Sequence, residues 1–264
     1  DPRLLRELAH RIVRLKLERP PSPPPEAREQ HPCAKDPDLK FKLNAAKSAD
    51  KIEREIAQLE ARADKAAEVV SRRFDDVITL LERWEYVADW QLTPRGALLA
   101  RVFHESDLLV AESIASGLLD DLDPTSLAAL ASTFVYEYRR ADPPPDPKFP
   151  STQLRSRFKQ IDQLSKRLQR DEAAAGLTPH RAPDAGYADT VAAWAHGAEL
   201  ADLLDEDTTP GDFVRTMKQL IDLLRQVASH APQPATRANA EMAIERILRG
   251  VVLSASTMPI GGVA

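Results

Sequence analysis

Between Leu39 and Thr93 the chain runs for 55 residues without a glycine or a proline. Apolar side chains recur through this stretch at Ile52, Ile56, Leu59, Ala63, Ala66, Val70, Phe74, Val77, Leu81 and Trp84, in steps of three and four with one irregular pair. That is the period of a single helical face. It predicts a helix of some 40 residues, roughly 60 Å long at 1.5 Å per residue. So narrow a seam needs a second helix along it. Leu5, Leu8, Ile12 and Leu15 repeat the pattern in residues 3–19, where the other faces are basic. The run PPSPPP at 20–25 must stop that first helix, since proline has no amide donor and disfavours helix in the residue before it. Residues 20–38 are then a stiff, extended connection, and residues 1–75 an antiparallel coiled-coil stalk with a proline-rich tip.

Past the stalk the pattern shortens into capped segments. Thr93-Pro94, Asp123-Pro124 and Thr209-Pro210 each place a capping side chain before a proline at the first helical position, where the missing donor costs little. Helices are expected near 94–103, 106–116, 124–141, 151–172, 184–204, 210–229 and 235–253. Their apolar stripes, such as Phe213, Val214, Met217, Leu220, Ile221 and Leu224, should close around one core. DPPPDP at 142–147 reads as a rigid linker, and residues 257–264 as a frayed tail. No repeat of fixed period appears. With 5% aromatics and few glycines, the expected fold is all-α: a coiled-coil stalk at 1–75 followed by a compact helical bundle at 76–256.

Several functions find no residues to carry them. None of the nine glycines falls in G-x-x-x-x-G-K-[ST] or G-x-G-x-x-G, so neither common phosphate-cradling loop is present. The six histidines show no paired metal spacing, and the one cysteine, in His31-Pro32-Cys33, has too few neighbours of ligating type for a structural zinc. No catalytic residue, cofactor site or metal site is assigned. No uncharged apolar run approaches the ~18 residues of a membrane span, and a single cysteine makes no internal disulfide, so a cytoplasmic setting is expected. Residues 1–75 hold 17 Lys/Arg against 14 Asp/Glu, while the remainder holds 19 against 27. The stalk is slightly basic and the bundle clearly acidic. The basic face of the stalk is a solvated coiled-coil surface or, less simply, a nucleic-acid stripe. The opening DPRLLRELAH starts inside a helix-like pattern, as a piece of a longer chain would.

Four segments in order carry a family resemblance: WEYVADWQLTPRGALLARVFHESDLLVAESIASGLLDDLDPTSLAALASTFVYEYRR (84–140), YADTVAAWAHGAELADLL (187–204), PGDFVRTMKQLIDLLRQVA (210–228) and AIERILRGVVLSAS (243–256). Together they resemble the DSHCT domain, the helical C-terminal region of superkiller-type and exosome-associated helicases. HPCAKDPD at 31–38 is similar to the HPC-containing turn in the arch insertion of actinobacterial HelY-type helicases. The resemblance implies an arch remnant plus a helical bundle, with ATP and Mg bound by RecA-like motor domains outside this sequence. By itself such a piece should have no ATPase activity.

The resemblance also implies a role. In that helicase family the bundle packs on the motor domains and encloses a single strand of RNA or DNA, and one long helix touches the bases. The VRTMKQLIDLL motif puts that helix at 210–229. Arg215, Lys218 and Gln219, facing away from its apolar stripe, are the expected strand contacts, with Glu112 of a neighbouring helix as a second candidate. Cationic heads meet phosphates, and amide or guanidinium planes hydrogen-bond or stack on an unpaired base without demanding a sequence. The plainer alternatives are a surface pair between Lys218 and Asp222 and a capping or pairing role for Glu112 inside the bundle. The family usually has an acidic residue where Pro210 stands and often a basic one at Gln219, so an uncharged base contact is expected there. The family motif at His31 is often richer in Cys and His; here Ala34 and Lys35 follow, and no metal role carries over. Trp84, Trp90, Trp194, Tyr136 and Tyr138 could offer stacking surfaces, but their spacing among Leu, Val and Ala assigns them to core packing. A rival reading makes the stalk and acidic bundle a scaffold that docks partner proteins, including partners at the arch, without touching a strand.

Overall fold

The computed structural model describes residues 35–139, 142–204 and 209–257. The expected helix at 3–19, most of the proline-rich connection with His31 and Cys33, and the tail from 258 lie outside the described residues. The chain divides into two compact units, at residues 1–69 and 70–264.

Helix α1, Leu39–Arg83, begins in the first unit and ends in the second. Its 45 residues match the length the glycine-free stretch predicts. Its N-terminal end is fixed by Asp36, whose carboxylate accepts from the Asp38 amide at 2.9 Å and pairs with Lys42 at 2.7 Å. Ile52, Ile56, Leu59, Val70 and Phe74 are all about half exposed or more. The helix enters the core only at Leu80, 5% exposed.

The helix stops at Arg83, ten residues before Thr93, because the chain turns into a feature the sequence reading did not foresee. Strands β1 (Val87–Ala88) and β2 (Gln91–Leu92) pair antiparallel across Asp89 and Trp90, which both take positive φ, +50° and +63°. This is the twisted two-residue hairpin turn that glycine or asparagine normally supplies. Here a tryptophan occupies it, 72% exposed and stacked on Phe74 at 6.4 Å between ring centroids. The expected core role of Trp90 is therefore corrected: the turn aims its side chain away from the interior. Gly96 holds the hairpin close, since a Cβ there would lie 2.1 Å from the Tyr86 carbonyl oxygen.

The remaining helices are α2 (Pro94–Leu99), α3 (Asp107–Ala115), α4 (Pro124–Val135), α5 (Thr152–Ala174), α6 (Ala188–Ala195), α7 (Leu200–Leu203), α8 (Pro210–His230), α9 (Pro234–Ile247) and α10 (Gly250–Thr257). The fold is all-α apart from the two-stranded hairpin. All three anticipated proline caps form: Thr93 accepts from the Gly96 amide, Asp123 from Thr125 and Ser126, and Thr209 from Asp212. Helix α4 is the hub, packed against α5, α6, α8 and α9. Ten of its twelve residues are buried, as an apolar helix surrounded by neighbours must be. Leu80, Phe134, Leu168, Trp194, Phe213, Leu224 and Val252 belong to one continuous core.

Four expected helices are shorter or split, the first of them, near 94–103, already ending at Leu99. The one expected at 124–141 ends at Val135, because Arg181 takes the carbonyls of Phe134 and Tyr136 and Asp184 accepts from the Tyr138 amide. That expected at 184–204 breaks at Gly197, whose φ of +102° no helix contains. That expected at 235–253 breaks at Leu248–Arg249 ahead of Gly250, also at positive φ. Arg249 fixes the break by donating to the carbonyls of Trp194 and Ala198 while its guanidinium lies 3.6 Å from the Trp194 ring centroid.

Candidate nucleic-acid interface

Helix α8 has two unlike faces. Phe213, Met217, Leu220, Ile221 and Leu224 are at most 3% exposed, and Phe213 sits edge-on to Trp194 with ring centroids 5.0 Å apart. With that stripe packed, the 3.6-residue period forces Arg215, Gln219, Asp222 and Gln226 onto the opposite face. Arg215 and Gln219 are exposed there.

The polar residues have distinct local ties. Arg215 pairs with Asp212 one turn earlier, at 3.4 Å with both side chains more than half exposed, a contact solvent leaves weak. Lys218 is only partly exposed, and its ammonium donates to the Ala255 carbonyl at 2.8 Å, near the end of α10. Asp222 pairs with Arg225 at 2.9 Å, so the alternative of a Lys218–Asp222 surface pair is not the one that forms. Gln219 lines a cavity of about 340 Å³ together with Phe103, His104, Asp222 and Gln226. Burial holds the His104 imidazole below its ordinary pKa, and its Nδ1 accepts from the Ser106 amide at 3.0 Å.

Glu112 occupies another environment. It is 5% exposed; one carboxylate oxygen accepts from the Tyr86 hydroxyl at 2.7 Å and the other from Arg95 at 3.3 Å and Ser116 at 3.2 Å. Burial, and then the neighbouring carboxylate, push the Tyr86 phenol far above its usual pKa. The contacts of Glu112 with Tyr86 and Arg95 join α3 to the hairpin base and to α2, while the one with Ser116 stays at the end of α3 itself. Arg95 itself lines a second cavity, of about 580 Å³, with Arg101, Arg237 and His230 and no carboxylate. Sequence reasoning missed this cationic cleft, because Arg95 and Arg237 are 142 residues apart and no periodicity links them.

Two further arrays bear on chemistry. Ser165, His180 and Glu172 form a chain in which His180 Nε2 lies 2.9 Å from the serine hydroxyl and Nδ1 lies 2.8 Å from the carboxylate. The order is that of a nucleophile, a base and an orienting acid, but Ser165 is 1% exposed and lines neither cavity. The Glu172 carboxylate also accepts from the His180 amide at 2.8 Å, so the array pins the loop after α5. Among the tryptophans assigned to packing, Trp84 is buried beneath Arg167 and donates to Asp171, and Trp194 is buried and donates to the Ile247 carbonyl. Tyr136 and Tyr138 are partly buried. Among the described residues no group of three or more His, Cys, Asp or Glu side chains is placed to hold a metal ion, and no helix is long and apolar enough to cross a membrane.

The fold and its polar helix define an α-helical bundle built around a central buried helix. Residues 89–255 match the DSHCT (NUC185) domain family. The chain is 38% identical over 242 residues to "Probable helicase HelY" of Mycobacterium tuberculosis (strain ATCC 25618 / H37Rv), covering 86% of this chain and 27% of that protein. It is 25% identical over 248 residues to "Exosome RNA helicase MTR4" of Homo sapiens, covering 86% and 22%. With "ATP-dependent RNA helicase mtr4" of Schizosaccharomyces pombe the identity is 26% over 231 residues, covering 83% and 18%. The chain therefore belongs to the DSHCT family, and it spans about a quarter of the length of the HelY proteins it matches.

Proposed function

We propose that this chain is an accessory region of an ATP-dependent superfamily 2 helicase, in which α8 guides single-stranded nucleic acid, RNA first, as a motor draws it through. The similarity to helicases supports the parentage. The observation that carries the strand contact is the disposition of α8: Phe213, Met217, Leu220, Ile221 and Leu224 are buried while Arg215 and Gln219 stand exposed, and Gln219 lines a cavity. ATP and Mg act in RecA-like domains of the same protein, in a cytoplasmic setting. This region's part is to hold the strand between strokes.

Arg215 supplies a phosphate contact and Gln219 an uncharged base contact. Lys218 contributes charge near the strand while its ammonium is anchored on Ala255. Glu112 acts through Arg95, whose guanidinium lines the cationic cleft. That cleft also answers the objection that an acidic bundle repels a polyanion, because a strand needs only a local lane of positive charge. Fluorescence anisotropy of a labelled oligoribonucleotide against this chain tests the reading. Arg215→Ala and Gln219→Ala should each weaken binding several-fold, Arg215→Ala with a shallower salt dependence. Unchanged affinity in both would refute it.

The scaffold reading has its own supporting observation, the exposed apolar stripe of α1 from Ile52 to Phe74. It predicts that stripe substitutions abolish capture of a protein partner while α8 substitutions do not.

A further inference from the structure

Phe103 is 80% exposed, on the short segment between α2 and α3, with Val102 beside it buried at 5%. An exposed aromatic on a loose loop would carry little meaning, but this segment is held. Gln226 of α8 accepts from the Phe103 amide at 2.7 Å and donates to the Phe103 carbonyl at 3.4 Å, so one side-chain amide fixes both backbone groups. The ring is thus displayed from a fixed backbone at the edge of the cavity that Gln219 lines.

The charges in that cavity select its ligand. Arg181 is committed to Glu105 and to the carbonyls of Phe134 and Tyr136, and Arg139 is paired with Glu137. Asp222 adds a third carboxylate to the lining, paired with Arg225. Among the described residues of the lining, each carboxylate and each guanidinium is already paired. A phosphate would find no uncommitted cation among them. A flat, uncharged group with donors and acceptors on its edge would meet an aromatic face and the Gln219 amide.

We propose that Phe103 and Gln219 form a base-binding subsite, in which an unpaired nucleobase stacks on the Phe103 ring and is hydrogen-bonded at its edge by Gln219. The phosphates on either side stay out of the cavity, toward Arg215. This deepens the strand-guide reading and rests on it. It assigns to Phe103 a role that no periodicity in the sequence indicates, and it makes Gln226 a positioning residue, since its amide holds the segment that displays the ring. Stacking on an aromatic tolerates any base, which suits a strand passing through.

The test uses this chain and a short oligoribonucleotide carrying 2-aminopurine, whose fluorescence falls when the base stacks. The wild-type chain should quench it on binding. Phe103→Ala should lose most of the quench and weaken binding by roughly five-fold or more, the low end of what one stacked base contributes. Phe103→Trp should keep both. An exposed side chain can be truncated without a folding penalty, and circular dichroism checks that it was. If Phe103→Ala quenches and binds like wild type while Arg215→Ala weakens binding, the subsite is refuted and the strand guide stands. If the wild-type chain does not bind, or neither substitution changes binding, both fall.

Discussion

Helices α1 and α8 carry nearly the same apolar code and meet opposite fates. Each repeats bulky residues in steps of three and four, yet Phe213, Met217 and Leu224 of α8 are completely buried while Ile56, Leu59 and Val70 of α1 are 48–68% exposed. The period of a sequence tells which side chains share a face. It does not tell whether a neighbour covers that face. In α8 the apolar side is claimed mainly by α4, α9 and α10, with Trp194 of α6 against Phe213, which leaves Arg215 and Gln219 of the polar side exposed.

The sharpest way to break this comparison is to truncate one residue on each stripe and measure denaturation midpoints. Phe213→Ala should cost about 3–5 kcal/mol, the range for an aromatic removed from a packed core. Ile56→Ala should cost at most about 0.5 kcal/mol, as for an exposed substitution. A cost above about 1.5 kcal/mol at Ile56 would mean that the stripe of α1 is covered. Glu112→Ala comes next, at about 2–3 kcal/mol, since it leaves the fully buried Tyr86 hydroxyl without its acceptor and removes the partner of Arg95. A loss of oligonucleotide affinity with no loss of stability would instead make Glu112 a direct strand contact. Thr209→Ala, which removes the cap of α8, should cost about 1 kcal/mol and leave α1 unaffected.

The smallest effect is one of pH. Burial keeps His104 below its ordinary pKa, so the unfolded chain binds a proton there more readily than the folded one. The stability it contributes is complete above about pH 6.5 and is lost as pH falls through the folded value. His104→Gln should flatten the fall of melting temperature between neutral and mildly acidic pH. An identical slope in the variant would contradict this.

What could be read from the sequence was what neighbours in sequence decide. Thr93, Asp123 and Thr209 announce helix starts because a cap and a proline act within one turn. The two faces of α8 follow from its period alone, which is why Arg215 and Gln219 could be named as exposed. Helix ends were less legible. Val135 ends α4 because Arg181, 46 residues later, captures its last carbonyls. Gly197 and Gly250 break the two expected helices through positive φ, a conformation that glycine permits but does not announce. The hairpin at 87–92 was hidden because Trp90 takes a left-handed turn conformation that its residue type rarely adopts. In the candidate site, the anchoring of Lys218 on Ala255 and the clamp of Gln226 on Phe103 join residues 37 and 123 apart, and no local pattern encodes either.

The central claim is that the polar face of α8, rather than the apolar stripe of α1, meets nucleic acid. A photoreactive amino acid placed at Gln219, and in a second variant at Ile56, tests it directly in the presence of labelled single-stranded RNA. The account predicts a strong RNA adduct from position 219 and none from position 56. An adduct from 56 alone, or from neither position, would contradict it.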